Sequence, residues 1–402
     1  MSDQYAGAIT PNHTRSLVTQ LTVASLVRLL INTSRRFPYP FASALSSGLG
    51  VPFTSITSLI AINQLTGILS PLFGPLSDRW GYRVMMLVGL GIVAAGMLAG
   101  GVLPFYGVVL VALFLAGLGK SIFDPALGAY VGERVPYERR GLAIGLLEIS
   151  WAGSSLIGIP LVGFLIEQLE WRAPFVVIGG LGLLGVAVLG FIIPKEQPYA
   201  SQSATLINFR QAWQQLRRER AAKGILAYGF FLSMANDSLF VVYGVWLQDS
   251  FGLGLTTLGM TAIVIGVAEL FGETLTATMA DRVGLKRAVV IGLILTSLSY
   301  LLLPVIGQTL VLALAGLFVL FLAFEFTIVT GVSLTTEVLP KARATMVSSV
   351  VATTGLGRVI GALLGGPLWL WGGLLMTGVV SAMLTVLALG LFLWGLHKWR
   401  TE

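Results

Sequence analysis

The chain has 402 residues, 55% of them hydrophobic and 11% charged, with a formal net charge of +7 and a mean hydropathy of +0.88. A soluble domain carries about 25% charged residues, so this chain lacks the charge to cover a water-facing surface, and a polytopic membrane protein is the class that remains. No cysteine is present, and the two histidines, His13 and His397, stand in the terminal segments. Disulfides, thiol chemistry and a buried histidine relay are thereby excluded, and no cofactor or metal is expected.

Apolar segments long enough to cross roughly 30 Å of hydrocarbon begin near Leu17, Thr54, Val84, Phe105, Gly141 and Pro174. Six more begin near Gly224, Thr256, Arg287, Leu310, Thr345 and Leu374. Their Leu, Val and Gly runs lack the alternation of strands, so twelve membrane helices are predicted. The polar first fourteen residues read as a short cytoplasmic tail before a retained first helix. Loop cations fall on one side, among them Arg15, Arg79, Arg83, Arg134, Arg139, Arg282, Lys286 and Arg343, with Arg172 alone opposite. The positive-inside rule then puts both termini in the cytoplasm. It also accounts for the positive charge without nucleic acid.

Residues 194–222 form the longest polar loop and read as a linker between a first bundle, 1–193, and a second, 223–402. Within it Phe209, Trp213 and Leu216 share a helical face beside arginines, the pattern of an amphipathic helix lying on an anionic lipid surface. The two halves repeat. GLGVPFTS from Gly48 returns as GLGLTTLG from Gly252; SDRWGYR around Asp78 returns as ADRVGLKR around Asp281; VPYERR around Pro136 returns as LPKAR around Pro340. Landmarks at one offset of half the chain indicate a duplicated six-helix unit.

At these loops the chain resembles the major facilitator superfamily, over essentially its whole length. The family's loop signature is matched by Gly74, Asp78, Arg79, Gly81 and Arg83, and in degenerate form by Asp281, Arg282, Gly284 and Lys286. The resemblance implies an all-α membrane protein of twelve helices in two pseudo-symmetric bundles. It also implies that the first, fourth, seventh and tenth helices line a central cavity, and that the loop motifs act in gating. Chemically, Asp78 at a helix end can accept from free backbone N–H groups and meet nearby cations. Gly74 allows close helix approach, and Gly81 a tight turn. The sequence departs from the exporters' pattern in the fourth helix, where Leu113, Ala116 and Gly117 stand in place of Arg and Gln-Gly; Lys120, two turns on, is a substitute. Gly158, Pro160 and Gly163 approach the exporters' fifth-helix pattern with Ile159 inserted.

Ionisable groups within the hydrocarbon are costly, by roughly 2.5–3.5 kcal/mol each, and are paired or face a water-filled cavity. The first half carries Arg28, Arg35, Arg36 and Lys120 against Asp124 and Glu148; the second carries Arg358 against Asp237, Glu269, Glu273 and Glu325. Arg28, Asn32, Arg35 and Tyr39 recur every three or four residues, forming one stripe that faces either a substrate or a carboxylate of the other half. Arg36 lies about 100° round the helix and is expected either to snorkel or to pair elsewhere. Adding the repeat offset to Asn32 gives Asn236, so both helices are expected to present amides to one site. The substrate-binding set is therefore Arg28, Asn32, Arg35, Tyr39, Lys120, Asn236 and Arg358. Glu269 and Glu273, one turn apart, cannot both be charged cheaply, which is what a reversible proton site needs. Asp237 and Glu325 join them, although Asp237 with Asn236 and Ser238 also suits Na⁺.

Together these features read as a secondary active transporter for a small organic solute, polar or anionic, working by alternating access. Proton coupling and export are favoured over sodium coupling and uptake. A monomer in the cell (inner) membrane is expected, with solute, protons and lipid as its partners. A non-transporting binding or sensing protein of the same fold, or a lipid-moving relative, is the alternative. No nucleophile, base and orienting group occur together, so no enzyme is expected.

Overall fold

The computed structural model describes residues 11–135, 137–194, 218–339, 343–397 and 399. Among them the regular structure is entirely helical. The spans run Leu17–Arg36, Phe53–Ser77, Tyr82–Val102, Tyr106–Arg134, Leu147–Gln168 and Ala173–Ile192 in the first half. The second half has Arg220–Phe251, Leu255–Ala280, Leu285–Ile306, Leu310–Val338 and Thr345–Gly395. The last is 51 residues long. It is interrupted by non-helical backbone at Gly372 and by a left-handed Gly373, so it supplies spans 11 and 12. The twelve predicted helices are thus present, each starting close to its expected position. The amphipathic segment predicted around Phe209–Leu216 lies outside the described residues.

Large apolar side chains such as Phe191, 91% exposed, and Trp371, 76% exposed, point outward. Such a surface is stable only against lipid. Inside, small residues bring helices together. A Cβ on Gly89 would lie 2.7 Å from the Gly119 carbonyl oxygen, so spans 3 and 4 meet backbone to backbone.

The duplication is visible in the backbone. Span 1 stops at Arg36, where Pro38 and Pro40 follow, and resumes as a short helix, Ala42–Leu49. Span 7 likewise breaks after Phe240 and resumes as Tyr243–Phe251. No proline stands at the second break, so the break belongs to the fold and the prolines only reinforce it. Gly50 and Gly252 end these short helices with φ of 64° and 63°. Gly81 and Gly284 turn the two motif loops with φ of 88° and 89°, values that favour glycine.

The halves meet where span 2 packs on span 11 and span 5 on span 8. The tightest meetings lie at the end away from the motif loops. A Cβ on Gly163 would lie 3.3 Å from the Gly259 Cα, and one on Gly244 would collide with the Pro40 carbonyl. Ser43 bonds Gln248, and Glu167 accepts from the Thr256 backbone N–H. At the motif end, Gly74 and Gly145 face open space.

Candidate functional site

The structure divides Arg28, Asn32, Arg35 and Arg36 of span 1, with Tyr39 just beyond it, between two assemblies. Arg28 reaches Asp124 at 3.2 Å and Glu148 at 3.1 Å, and donates to the Leu147 carbonyl. Lys120 holds the other oxygen of Asp124 at 2.5 Å and donates to Asn32 at 2.6 Å. Asn32 in turn donates to Ser150. Two cations and two carboxylates thus neutralise one another inside the first bundle. Arg28, Asn32 and Lys120, expected in the substrate site, belong to this network. The physical reason is local: Asp124 follows Lys120 by one turn, and a buried cation takes the nearest carboxylate.

The second assembly spans the bundle interface. Arg36 donates from both terminal nitrogens to Glu269 of span 8, at 3.1 and 2.7 Å. Both side chains are 5% exposed, and the guanidinium lies 4.4 Å from the Trp151 ring centre. The arginine that meets a carboxylate of the other half is therefore Arg36, while Arg35 has a different role. Its Nε donates to Asn63 at 2.9 Å and its Nη2 to Gln64 at 2.5 Å, both on span 2. Gln64 then donates to the Tyr39 hydroxyl, which donates to Asp237 at 2.7 Å. Arg358 faces the other oxygen of Asp237 at 3.8 Å, beyond hydrogen-bond length.

Glu325 of span 10 packs against Gly272, where a Cβ would lie 2.8 Å from the Glu325 Cβ. The missing side chain at Gly272 lets Glu325 sit beside Glu269 and Glu273. Glu325 and Glu273 have no hydrogen bond or ion pair among the described residues, whereas Glu269 is clamped by Arg36. The three carboxylates anticipated on spans 8 and 10 therefore come together, one held and two without a counter-ion.

These groups surround a narrow cavity with about 30 Å³ of free space. Arg35, Arg36, Arg358, Glu269 and Glu325 supply its charge, and Tyr39, Gln64 and Asn236 its neutral polar atoms. Trp151, Phe240, Phe321 and Phe324 form an aromatic wall. The Asn236 carbonyl oxygen is buried without a hydrogen-bond partner, a rare condition away from functional sites. Span 4 does not line this cavity; spans 2, 5, 8 and 11 do, alongside 1, 7 and 10. The expected pairing of Asn32 with Asn236 at one site is thus corrected, because Asn32 is drawn to Lys120. Sequence reasoning missed Asn63, Gln64 and Trp151. The adjacent amides INQL within an apolar run were the available signal.

The motif loops show a structural duty. Arg83 donates to the Gly190 carbonyl at the end of span 6. Lys286 donates to the Leu396 carbonyl, at 2.6 Å, just past span 12. Each motif's last cation therefore caps the final helix of its own bundle, where exposed carbonyls attract positive charge. Arg79 and Arg282 are exposed. Gly81 makes the expected turn, but Gly74 faces open space in this state instead of a neighbouring helix. The side chains of Asp78 and Asp281 lie outside the described residues.

Two six-helix units, cross-packed around a charged midplane cavity, define a membrane transporter fold built by duplication. The Major Facilitator Superfamily profile matches residues 24–272 and again 225–402, and the chain belongs to that family. Among its relatives, an uncharacterized MFS-type transporter of Bacillus subtilis, YwfA, is 25% identical over 92% of this chain and 95% of its own. The multidrug resistance protein MdtG of Serratia proteamaculans is 29% identical over 63% of this chain and 60% of its own. In three dimensions, a bacterial homologue of the human lysosomal transporter Spinster, inward-facing and unoccupied, matches with a TM-score of 0.78. It is 14% identical, and the match covers 96% of this chain and 99% of that one. A mutant of the nucleoside transporter NupG also gives 0.78, at 15% identity, covering 96% and 100%.

Proposed function

We propose that this chain is a proton-coupled secondary transporter that exports a small organic solute by alternating access across the cell (inner) membrane. One observation carries the reading. Two carboxylates, Glu325 in the lining of the cavity at the bundle interface and Glu273 one turn from Glu269, have no ion pair among the described residues. An unpaired carboxylate in low dielectric is stable when protonated and costly when charged, so proton uptake and release there can be tied to the state of the cavity. Arg36 clamps Glu269 and fixes the geometry beside them. Asp237, held by Tyr39 and faced by Arg358, is a secondary proton or sodium site.

The loop cations assign the motif end to the cytoplasm, with both termini there. The tightest meetings of the bundles then lie at the outer side. Bundles 1–193 and 223–402 rock about the cavity, joined by the linker 194–222, and a monomer suffices for this. Gating by the loop motifs, through Asp78 and Asp281 with Arg79 and Arg282, is supported by the matching loops of the two halves. Export is supported by the resemblance to proteins named for multidrug resistance.

The test is flux in proteoliposomes under an imposed pH gradient, using a solute first found by thermal stabilisation of the purified protein. Glu273→Gln with Glu325→Gln is expected to abolish gradient-driven accumulation while leaving solute exchange. Retention of gradient-driven flux in the double variant would remove the coupling role from both residues. Failure of every stabilising solute to exchange would favour a binding protein over a transporter.

A further inference from the structure

The charges around the cavity balance in number, but not all of them are paired, and the remainder is informative. Arg36 is satisfied by Glu269 in a two-point pair, and Arg358 faces Asp237. Two groups are then left, Arg35 and Glu325. They are not equivalent. A carboxylate can lose its charge by taking a proton, and Glu325 is already assigned to the proton. A guanidinium cannot be deprotonated in a protein, so its charge persists through every step of a cycle.

Arg35 is also a prepared site. Its two partners, Asn63 and Gln64, are neutral amides, which orient the guanidinium without neutralising it. Each amide is fixed at its other end, Asn63 by donating to the Leu113 carbonyl at 2.6 Å and Gln64 by donating to Tyr39. Two of the five N–H donors of Arg35 are used, and the side chain lines the cavity with the rest unpartnered among the described residues. Much of the remaining lining is aromatic, and Phe240 stands 4.5 Å from Tyr39 between ring centres.

From this arrangement we infer that the transported solute is an amphipathic organic monoanion, a carboxylate or sulfonate bound by Arg35, with an aromatic or aliphatic body packed against Trp151, Phe240, Phe321 and Phe324. The inference rests on the transporter reading and names its substrate class. One uncompensated guanidinium matches one acidic group in a two-point hydrogen bond. A second acidic group would meet Glu325 and Glu269, so dianions are disfavoured. An organic cation would have to sit beside Arg35, Arg36 and Arg358, and is disfavoured for the same reason.

The experiment compares three ligands of one shape on the purified full-length protein: 1-naphthoate, the neutral 1-naphthamide and the cationic 1-naphthylmethylammonium. Thermal stabilisation and quenching of tryptophan fluorescence report binding. Naphthoate is expected to bind, and the other two to bind at least tenfold more weakly. Arg35→Gln is expected to weaken naphthoate binding about 30-fold or more, as for loss of one partner from a buried charge pair. Arg35→Lys, which keeps the charge but loses the fork, should recover part of it. Equal binding of naphthamide, tighter binding of the cation, no binding of naphthoate, or unchanged binding in a folded Arg35→Gln variant would each overturn the inference. Counterflow of labelled naphthoate in proteoliposomes separates the two levels. Binding that depends on Arg35 without counterflow sinks the transporter reading and keeps the anion site, whereas counterflow of the cation alone does the reverse.

Discussion

In the first bundle, Arg28, Lys120, Asp124 and Glu148 neutralise one another in a closed network. In the second bundle, Glu273 and Glu325 carry carboxylates with no partner among the described residues. Yet the two bundles share their backbone: the same break after Arg36 and Phe240, the same left-handed glycines, and the same helix-capping cation at Arg83 and Lys286. Duplication has preserved the bends and discarded the chemical symmetry. The bends provide two units able to rock against each other. The unequal charges leave Arg35 without a carboxylate and Glu325 without a cation among the described residues, which identical halves could not supply.

The comparison is broken most severely at the one place, among the described residues, where the bundles share a buried ion pair. Arg36→Gln or Glu269→Gln alone leaves a buried charge without its partner and is expected to cost about 3–5 kcal/mol. The double variant removes both charges and should recover most of that loss, as read by thermal unfolding in detergent. If the double variant were as unstable as the singles, the pair would not be the reason.

A smaller effect is expected from the two ends of the interface. Gly244→Ala puts a methyl group into the Pro40 carbonyl and should cost about 1–3 kcal/mol by overpacking. It should also raise labelling of the outer ends of spans 1 and 7 as the bundles part. Gly74→Ala, at the motif end, meets nothing within 4 Å and should shift stability by less than about 0.5 kcal/mol.

Within the first bundle, Lys120→Met removes one of two cations from Asp124 while Arg28 remains. A loss of about 1–2 kcal/mol is expected, below that of the Arg36 pair because Asp124 is never stranded. Least of all, Arg172→Ala breaks the exposed pair with Glu170 and a 6.0 Å contact over the Trp171 ring and should cost no more than about 1 kcal/mol. A larger loss there would mean that exposed charge matters to this fold more than buried networks do.

Much of the candidate site was legible in the chain. Charges in an apolar run are few, so Arg28, Arg35, Lys120, Asp237, Glu269, Glu273, Glu325 and Arg358 identified themselves by cost alone. Their partners did not. Arg35 and Arg36 are adjacent and chemically identical; one turns to two amides and the other to Glu269, because successive residues on a helix point about 100° apart. Asn63 and Gln64 are neutral, so nothing in hydropathy distinguished them from polar residues that only pack.

By itself, the sequence determined the class, the number of spans, the duplication and which groups must be excused from the lipid. Those follow from composition and from offsets along the chain, which need no coordinates. Only the tertiary structure decided which charges cancel. Pairing depends on distances of a few ångströms between spans far apart in sequence, and on glycines such as Gly272 that let Glu325 approach. In a low-dielectric interior such distances decide between an ion pair, a proton site and an unmet charge. At Arg35 they leave the unmet charge.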